Sequence, residues 1–217
     1  MIRNLYLFDL DGTLVDTAPD LSAAANRLRT ARGLPALPLE SLRAASGKGS
    51  PALVLAALGI PKDDPRYPPL KAEFLSYYSE MPAARSALFP GIAAMLASLC
   101  KQGCRIGVVT NKPFALAERV LRALSLAEEI QVLIGCDSPG AALKPRPDSL
   151  LTALKRFDAL PDEAVYIGDS ASDCTAAHAA GLPCALVRWG YMPEPPESAT
   201  PDFIASVPSD LLTWRPA

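Results

Sequence analysis

Carboxylates dominate the residues of this sequence that could do chemistry. Asp9 and Asp11 stand two residues apart after a short apolar run, and Asp169 follows another apolar run with Asp173 four residues on. Side chains two apart on an extended strand point the same way, so Asp9 and Asp11 would repel one another. A cation or a raised pKa must relieve that repulsion. Three carboxylates (Asp9, Asp11 and Asp169) with no histidine or thiolate beside them favour a hard cation such as Mg²⁺.

A hydroxyl and a lysine follow two further apolar runs. Thr110 begins the segment Thr-Asn-Lys-Pro, and Lys144 lies in the segment Leu-Lys-Pro-Arg-Pro. Phosphoryl oxygens need hydrogen-bond donors and a positive counter-charge, which a hydroxyl and a lysine supply. Gly12 would let the backbone approach a ligand closely. The set therefore indicates phosphoryl chemistry.

Each of these residues alone has a simpler explanation. A pair of aspartates two apart is common by chance, Thr110 could cap a helix, and Lys144 could be a surface charge. Asp169 and Asp173 could form a solvated first helical turn that complements the helix dipole. The coincidence favours a site, because four polar clusters follow four different strands, and ligands of open α/β sheets bind beyond those strand ends.

Hydrophobic patterns predict the elements that must position these side chains. The run 2–8 is too short for a helix and predicts a buried strand. Helical spacing alternates with further apolar runs, which predicts a parallel sheet with helices on both faces, an α/β fold. The predicted strands are 105–109, 131–134, 164–167, 184–187 and 202–205, and the predicted helices are 92–101, 114–124, 148–157 and 171–180.

The segment between the first strand and this alternating region has a different hydrophobic pattern. Residues 15–85 show only helical patterns, at 18–31, 39–45, 50–58 and a stretch that ends near residue 80. We therefore expect a core domain formed by 1–14 and 86–217, with a helical domain of 15–85 inserted into it. The proline-rich stretch 192–201 predicts a loop.

Composition excludes several classes of protein. The chain has 217 residues, about one and a half domains. With 21 Lys+Arg against 23 Asp+Glu it has no basic excess for nucleic acid, and no apolar run is long enough for a membrane span. The single histidine, His178, excludes a histidine-rich metal site. Five scattered cysteines indicate reduced thiols and a cytoplasmic location. Whether the chain is a monomer or a homodimer stays open.

The polar motifs, in this order, resemble those of the haloacid dehalogenase superfamily of phosphohydrolases. Its nucleophile signature corresponds to FDLDGTLVDT at residues 8–17, and its second motif to Thr-Asn-Lys at 110–112. The third motif is similar to Lys-Pro at 144–145 and the fourth to GDSASD at 168–173. The resemblance covers nearly the whole chain. It implies a Rossmann-like core with a small inserted helical cap.

The resemblance also implies catalytic roles. Asp9 would be the nucleophile that forms an aspartyl-phosphate, and Asp11 would act first as general acid and then as general base. Mg²⁺ would be held by Asp9, the backbone carbonyl of Asp11 and Asp169. Asp173 would act through a water molecule or orient its loop.

The same resemblance implies the phosphate ligands. Thr110 and Lys144 would bind the phosphoryl oxygens, and Lys144 would relieve the repulsion at Asp9. Substrate contacts would be completed by Gly12, Thr13 and Asn111, with backbone N–H groups near Gly12 and Asn111 among the donors.

Two groups within the superfamily are nearly equally similar to this chain. The presence of Asp11 resembles phosphatases and phosphomutases, because true dehalogenases lack an acid at that position. Bacterial phosphoglycolate phosphatases share the first two motifs and their flanking residues, which implies 2-phosphoglycolate as substrate. N-acetylmuramic acid 6-phosphate phosphatases share Arg-Gly-Leu-Pro at 32–35 and Gly-Tyr at 190–191, which implies a sugar phosphate instead.

Other interpretations remain open at this point. Lys48 lies in the predicted contact loop 46–50 and could pair with a substrate carboxylate or stay solvated. Arg146 could likewise contact the substrate or face solvent. The fold also hosts phosphomutases and phosphonate hydrolases, and Lys48 would be the Schiff-base lysine of the latter. A non-catalytic phospho-ligand binder would show a degraded site, whereas every expected acid is present here.

Overall fold

Two sheets organise the strands of the protein. The computed structural model describes residues 4–191 and 200–214. Its strands are β1 (Leu5–Phe8), β2 (Val15–Asp16), β3 (Ala87–Leu88), β4 (Arg105–Val109), β5 (Val132–Ile134), β6 (Ala164–Gly168), β7 (Cys184–Val187) and β8 (Phe203–Ala205). Six of them form one sheet in the order β5-β4-β1-β6-β7-β8. Every pair in that sheet is parallel, which confirms the predicted α/β fold.

Eight α-helices accompany the strands. They are α1 (Ala18–Thr30), α2 (Leu39–Ser46), α3 (Gly49–Leu58), α4 (Tyr67–Glu80), α5 (Ile92–Lys101), α6 (Phe114–Ala123), α7 (Asp148–Phe157) and α8 (Ala171–Ala179), with short 3₁₀ helices at Pro161–Glu163 and Pro208–Leu212. The predicted ranges of α5, α7, β4 and β7 are confirmed residue for residue. The first strand is shorter than predicted because it begins at Leu5, and residues 1–3 lie outside the described ranges.

The central strand β1 is buried on both faces. Leu5 and Leu7 belong to one hydrophobic cluster, and Tyr6 and Phe8 belong to another. Successive strand residues face opposite sides of a sheet, so the two clusters mark the two helix-covered faces. This double burial explains why β1 is apolar at every position rather than alternating.

Helices α1 to α4 surround a third hydrophobic cluster. Each contributes a buried side chain: Leu28, Leu42, Leu53 and Phe74. Leu116 of α6 joins the same cluster, so the helical segment also packs against the sheet region. The four helices occur where the periodicity predicts them, and the division into domains at 15 and 85 stays a prediction.

The small antiparallel sheet was not predicted. β2 pairs with β3 through Val15 opposite Leu88 and Asp16 opposite Ala87. The chain therefore leaves the large sheet and returns to it through neighbouring segments. This corrects the expectation that the segment from residue 15 onward is all helical. Two-residue strands carry no readable periodicity, because their pairing depends on residues far apart in the sequence.

Two sequence-based expectations concern the rest of the chain. Most of the predicted proline-rich loop, residues 192–199, lies outside the described residues. Among the helices of residues 4–191 and 200–214, none has the length and apolar character that a membrane crossing requires.

Asp20 fastens α1 to the segment that returns to the large sheet. Its carboxylate is buried and accepts the backbone N–H of Arg85 at 3.0 Å and that of Ser86 at 2.8 Å. The Ser86 hydroxyl donates a further hydrogen bond of 2.6 Å. A buried carboxylate is tolerated when donors satisfy it in this way.

We predict that Asp20→Ala lowers the free energy of unfolding by about 2–3 kcal/mol, since the amides of Arg85 and Ser86 lose their acceptor. Urea denaturation followed by circular dichroism measures the change. Asp63→Ala, at an exposed loop position, is the matched control and should change stability by less than about 0.5 kcal/mol. Equal stability of the two variants would show that Asp20 does not hold this junction.

Candidate active site

Three neighbouring strands bring the predicted site residues to one edge of the large sheet. Asp9 follows β1, Thr110 follows β4 and Asp169 follows β6, and β1 lies between the other two. The backbone N–H of Asp9 donates to the carbonyl of Ile167 at 2.8 Å, so the strand pairing continues up to the acid. Parallel strands end at the same edge, which is where ligands of such sheets bind.

Asp9, Asp169 and Asp173 form an acidic cluster. Each offers a carboxylate oxygen, and these oxygens lie within 4.8 Å of one another. All three side chains are buried. The structure therefore brings Asp9 and Asp169 together, and α8 adds Asp173 to them.

The acidic cluster is short of positive charge. Burial raises the pKa of Asp9 to about 6; Lys144 opposes the rise, and the charges of Asp173 and Asp11 add to it. Burial, Asp173 and Asp9 hold the pKa of Asp169 well above its ordinary value. The buried Oδ1 of Asp9 has the ammonium of Lys144 at 3.1 Å as an ion-pair partner and no further hydrogen bond among the described residues. Hard oxygen donors with unrelieved repulsion fit a divalent cation such as Mg²⁺.

Lys144 is the buried cation of the acidic cluster. Its Nζ lies 2.6 Å from Asp173 Oδ1 and 3.1 Å from Asp9 Oδ1. It also donates to the hydroxyl of Tyr166 at 2.6 Å, and that hydroxyl donates to the carbonyl of Val109 at 2.8 Å. Burial disfavours the charged lysine, but Asp173 and Asp9 outweigh burial and raise its pKa. Tyr166 was not predicted, although a tyrosine inside a buried strand needs a polar partner for its hydroxyl.

Asp173 has both carboxylate oxygens occupied. Oδ1 accepts from Lys144 and from Tyr166, the latter at 3.2 Å. Oδ2 accepts the backbone N–H of Ser170 at 3.0 Å and its hydroxyl at 2.5 Å. These contacts are consistent with the predicted orienting role of Asp173, because they fix the first turn of α8 beside Lys144.

The side chain of Asp11 does not join the acidic cluster. Both of its oxygens lie 2.9 Å from Nζ of Lys112, and Oδ1 also accepts the hydroxyl of Thr17 at 2.6 Å. We expected Asp9 and Asp11 to point the same way on an extended chain. The extended chain assumed by that expectation ends before both acids, because β1 ends at Phe8. The predicted contact of Asp11 with Mg²⁺ uses its backbone carbonyl and not its side chain, so this contact stays a prediction.

Lys112 is a buried partner of Asp11 that was not among the predicted site residues. Its side chain is only 4% exposed, and its Nζ lies 4.6 Å from the ring centre of Tyr78 in α4. Burial lowers the pKa of this lysine, but Asp11 and Tyr78 outweigh burial and raise it above its ordinary value. The signal was present in the sequence, since Lys112 stands in the second motif directly after a buried strand.

Three residues predicted to bind the phosphate, Gly12, Thr13 and Thr110, have different surroundings in the structure. A Cβ at Gly12 would collide with Asp169 Oδ2, so no side chain fits there. Thr13 is buried, and its hydroxyl has no hydrogen-bond partner within the described ranges. Thr110 is buried beside the acidic cluster, and its Oγ1 accepts the N–H of Lys112 at 3.2 Å.

Asn111 fastens a loop with its side chain. Its Oδ1 accepts the N–H of Lys144 at 2.8 Å, and its Nδ2 donates to the carbonyl of Lys144 at 3.2 Å. The amide therefore positions the segment that carries Lys144. A contact of Asn111 with substrate stays a prediction that would use its backbone.

The structure leaves two candidate basic residues at the surface. Lys48 is exposed at the residue before α3. Arg146 is exposed and pairs with Asp148 at 3.0 Å. Substrate contacts of either residue stay predictions.

Tyr191 connects the acidic cluster to α1. Its backbone N–H donates to Asp169 Oδ2 at 3.1 Å. Its hydroxyl accepts the N–H of Thr17 at 2.7 Å and that of Ala18 at 2.9 Å. Tyr191 was not among the predicted site residues, and the structure places it between a site acid and the start of a helix.

Several known proteins are similar to this chain over most of its length. The family model described as haloacid dehalogenase-like hydrolase matches residues 6–187. A phosphoglycolate phosphatase from Xanthomonas campestris pv. campestris is 40% identical over 213 residues, which are 97% of this chain and 95% of the relative. An N-acetylmuramic acid 6-phosphate phosphatase from Pseudomonas aeruginosa is 39% identical over 208 residues, 95% and 92% of the two chains.

A solved structure extends the likeness to the fold. The crystal structure of a predicted phosphoglycolate phosphatase from Haemophilus somnus 129pt superposes with a TM-score of 0.83 at 30% sequence identity. The match covers 96% of each chain. The resemblance that the four motifs indicated is thereby confirmed. The chain belongs to the haloacid dehalogenase-like hydrolase family.

Proposed function

We propose that the protein is a Mg²⁺-dependent phosphatase that hydrolyses a small phosphate monoester, with 2-phosphoglycolate as the foremost candidate. The observation that carries the proposal is the position of Asp9. This acid follows the central strand, and its buried Oδ1 pairs with the ammonium of Lys144 at 3.1 Å. It is flanked by Lys144 and by the carboxylates of Asp169 and Asp173.

Asp9 supplies the nucleophile in the first step. One of its oxygens attacks phosphorus, a P–O bond to Asp9 forms, and the P–O bond to the leaving alcohol breaks. Asp11 takes up a proton from solvent as it leaves Lys112, and it gives that proton to the oxygen of the alcohol. The products of this step are the free alcohol and an aspartyl-phosphate.

Asp11 reverses its role in the second step. It takes a proton from water, whose oxygen attacks the phosphorus of the aspartyl-phosphate. The P–O bond to Asp9 breaks, inorganic phosphate leaves, and both aspartates return to their initial states. Two displacements thus replace one difficult hydrolysis, with no histidine required.

The oxygen ligands available at the acidic cluster fit Mg²⁺. Asp9, Asp169 and the backbone carbonyl of Asp11 would hold the ion, with Asp173 acting through water or by orienting its loop. A bound Mg²⁺ supplies positive charge that offsets the carboxylates and stabilises charge on the phosphoryl oxygens.

Lys144 and Thr110 bind the phosphoryl oxygens in this proposal. Lys144 is held in place by Asp173 and Tyr166, so it presents its charge without further ordering. Thr110 uses its oxygen to accept from Lys112, which leaves its hydroxyl proton for a ligand. Backbone N–H groups near Gly12 provide the remaining hydrogen-bond donors to the phosphoryl oxygens.

The relatives support two candidate substrates. Proteins named phosphoglycolate phosphatase and N-acetylmuramic acid 6-phosphate phosphatase are similar to this chain at about 40% identity. Both substrates are small phosphate monoesters that carry a carboxylate. A ratio of kcat/KM values on the two compounds ranks them. The reaction belongs in the cytoplasm, where scattered cysteines would stay as thiols.

The other candidate activities have less support. Lys48 is exposed, whereas a Schiff-base lysine gains its reactivity from a desolvated or strongly charged site. A phosphomutase would have to retain a bisphosphate under the helical segment. A non-catalytic binder gives no reason for Asp11 to stand beside the nucleophile with its own buried lysine.

We predict that Asp9→Asn lowers kcat for p-nitrophenyl phosphate hydrolysis by at least about a thousandfold in the presence of Mg²⁺, because the amide is not a nucleophile. Phosphate release measures the rate, and chelation of Mg²⁺ should abolish the wild-type activity. Asp63→Asn, at an exposed loop position, serves as the matched control. Undiminished hydrolysis by Asp9→Asn would overturn the mechanism.

The same substitution should stabilise the metal-free protein. The pKa of Asp9 is raised from 3.8 to about 6, so the folded state binds its proton more tightly than the unfolded state. The stability that the neutral acid contributes is present below about pH 4 and is lost as pH rises through about 6. At pH 7.5 Asp9→Asn should therefore be more stable than wild type by on the order of 2–3 kcal/mol.

Urea denaturation with chelator at pH 7.5 and at pH 4 measures this difference. The gain should shrink at pH 4, where Asp9 is neutral in the folded state and only partly ionised in the unfolded state. Added Mg²⁺ should stabilise the wild type more than the variant, since the ion loses a ligand in the variant. A variant that is less stable than wild type at pH 7.5 without metal would contradict the assigned repulsion.

A further inference from the structure

Lys112 is a buried cation that the two catalytic steps do not use. We propose that Lys112 recognises a carboxylate on the carbon that bears the ester oxygen of the substrate, and that this carboxylate replaces Asp11 as its partner. The proposal rests on the proposed phosphatase function and deepens it. It assigns a specificity-determining residue and a substrate class, the carboxymethyl phosphates.

Lys112 lies beside the proposed general acid and is hydrogen-bonded to a proposed phosphate ligand. Its Nζ lies 2.9 Å from both oxygens of Asp11, the residue that must reach the leaving oxygen. Its backbone N–H donates to Thr110, a phosphoryl ligand in the proposed mechanism. A group attached close to the leaving oxygen therefore comes within reach of the Lys112 ammonium.

The ion pair must open for Asp11 to act. Lys112 contacts both carboxylate oxygens and Thr17 contacts one of them, so Asp11 is fully engaged. As Asp11 turns to the leaving oxygen, Lys112 loses its counter-ion in a buried position. An unpaired buried charge is strongly unfavourable. A substrate carboxylate that takes the place of Asp11 removes that penalty.

The surroundings of Lys112 favour an anion over a neutral group. The ring of Tyr78 lies 4.6 Å from Nζ and the side chain is almost excluded from solvent. Charge pairs gain strength where water is excluded. Lys48, the other lysine considered for this role, is exposed and would gain less from the same pairing.

This geometry separates the two candidate substrates. The carboxylate of 2-phosphoglycolate is bonded to the carbon that carries the ester oxygen. That of N-acetylmuramic acid 6-phosphate belongs to a lactyl group on another part of the sugar ring. Only in 2-phosphoglycolate does the carboxylate lie next to the ester oxygen that Asp11 protonates. Recognition by Lys112 would therefore favour 2-phosphoglycolate over N-acetylmuramic acid 6-phosphate.

The test is a comparison of kcat/KM for 2-phosphoglycolate and 2-hydroxyethyl phosphate, which differ in the carboxylate alone. We expect the ratio of the two values to fall by about thirtyfold or more in Lys112→Met, the loss typical of one removed partner in a buried charge pair. Lys112→Arg, which keeps the charge, should recover part of the ratio. Lys62→Met, at an exposed loop position, is the matched control and should leave the ratio unchanged.

The ratio of the two kcat/KM values distinguishes recognition of the substrate carboxylate by Lys112 from an indirect effect of the substitution on Asp11. Displacement of Asp11 would slow both substrates equally and leave the ratio at its wild-type value, which would overturn the proposal. A wild type that prefers N-acetylmuramic acid 6-phosphate would also overturn it, while leaving the phosphatase function intact. A wild type that releases phosphate from none of these esters would instead refute the proposed function.

A second measurement covers the case in which Lys112→Met does not fold. The wild-type protein is titrated with 3-phosphonopropionate and with propylphosphonate, two non-hydrolysable analogues that differ in the carboxylate. We expect the carboxylate analogue to bind at least about tenfold more tightly. Equal affinity would overturn the assignment of Lys112.

Discussion

The repulsion among three buried carboxylates is the constraint on which this site depends. Asp9, Asp169 and Asp173 are held within a few ångströms of one another at the edge of the large sheet, with Lys144 as their buried cation. One cation does not balance three acids, and the pKa values of Asp9 and Asp169 are raised accordingly. The parallel strands and the helix α8 hold these acids close together despite their repulsion. In the proposed function a divalent ion would offset this negative charge, which would couple metal binding to the stability of the site.

Two buried lysines divide the work of charge compensation. Lys144 serves the acidic cluster and lies on the side where phosphorus is attacked. Lys112 serves Asp11 and lies towards α4, on the side where the leaving group departs. The two ion pairs share no side chain, but the charge of Asp11 still adds to the raised pKa of Asp9. Tyr191 provides the structural connection between the two regions, since it contacts Asp169 and the residues that begin α1.

Much of the fold and the main acids could be predicted from the sequence because their signals are local. The helices α5 and α7 have clear periodicity, and Asp9, Thr110 and Asp169 each follow an apolar run. The strands β2 and β3 and the contacts of Tyr166 and Tyr191 join segments distant in sequence, so no local pattern reveals them. The partner of Asp11 was missed for a related reason. Lys112 is visible beside Thr110, but the turn that directs Asp11 towards it depends on where β1 ends.

The central claim is that Asp9 is the group that receives the phosphoryl moiety. The most direct measurement is an acid quench of the Asp11→Asn variant during turnover of p-nitrophenyl phosphate with Mg²⁺, followed by peptide mass spectrometry. This substrate is chosen because its leaving group departs without a proton, so the first step does not need Asp11 as general acid. Loss of the general base should slow hydrolysis of the intermediate and let it accumulate. The account predicts a phosphorylated peptide that contains Asp9, and hydroxylamine should release its phosphate and convert Asp9 to the hydroxamate. Turnover without any phosphorylated peptide, or a phosphoryl group on another residue, would contradict it.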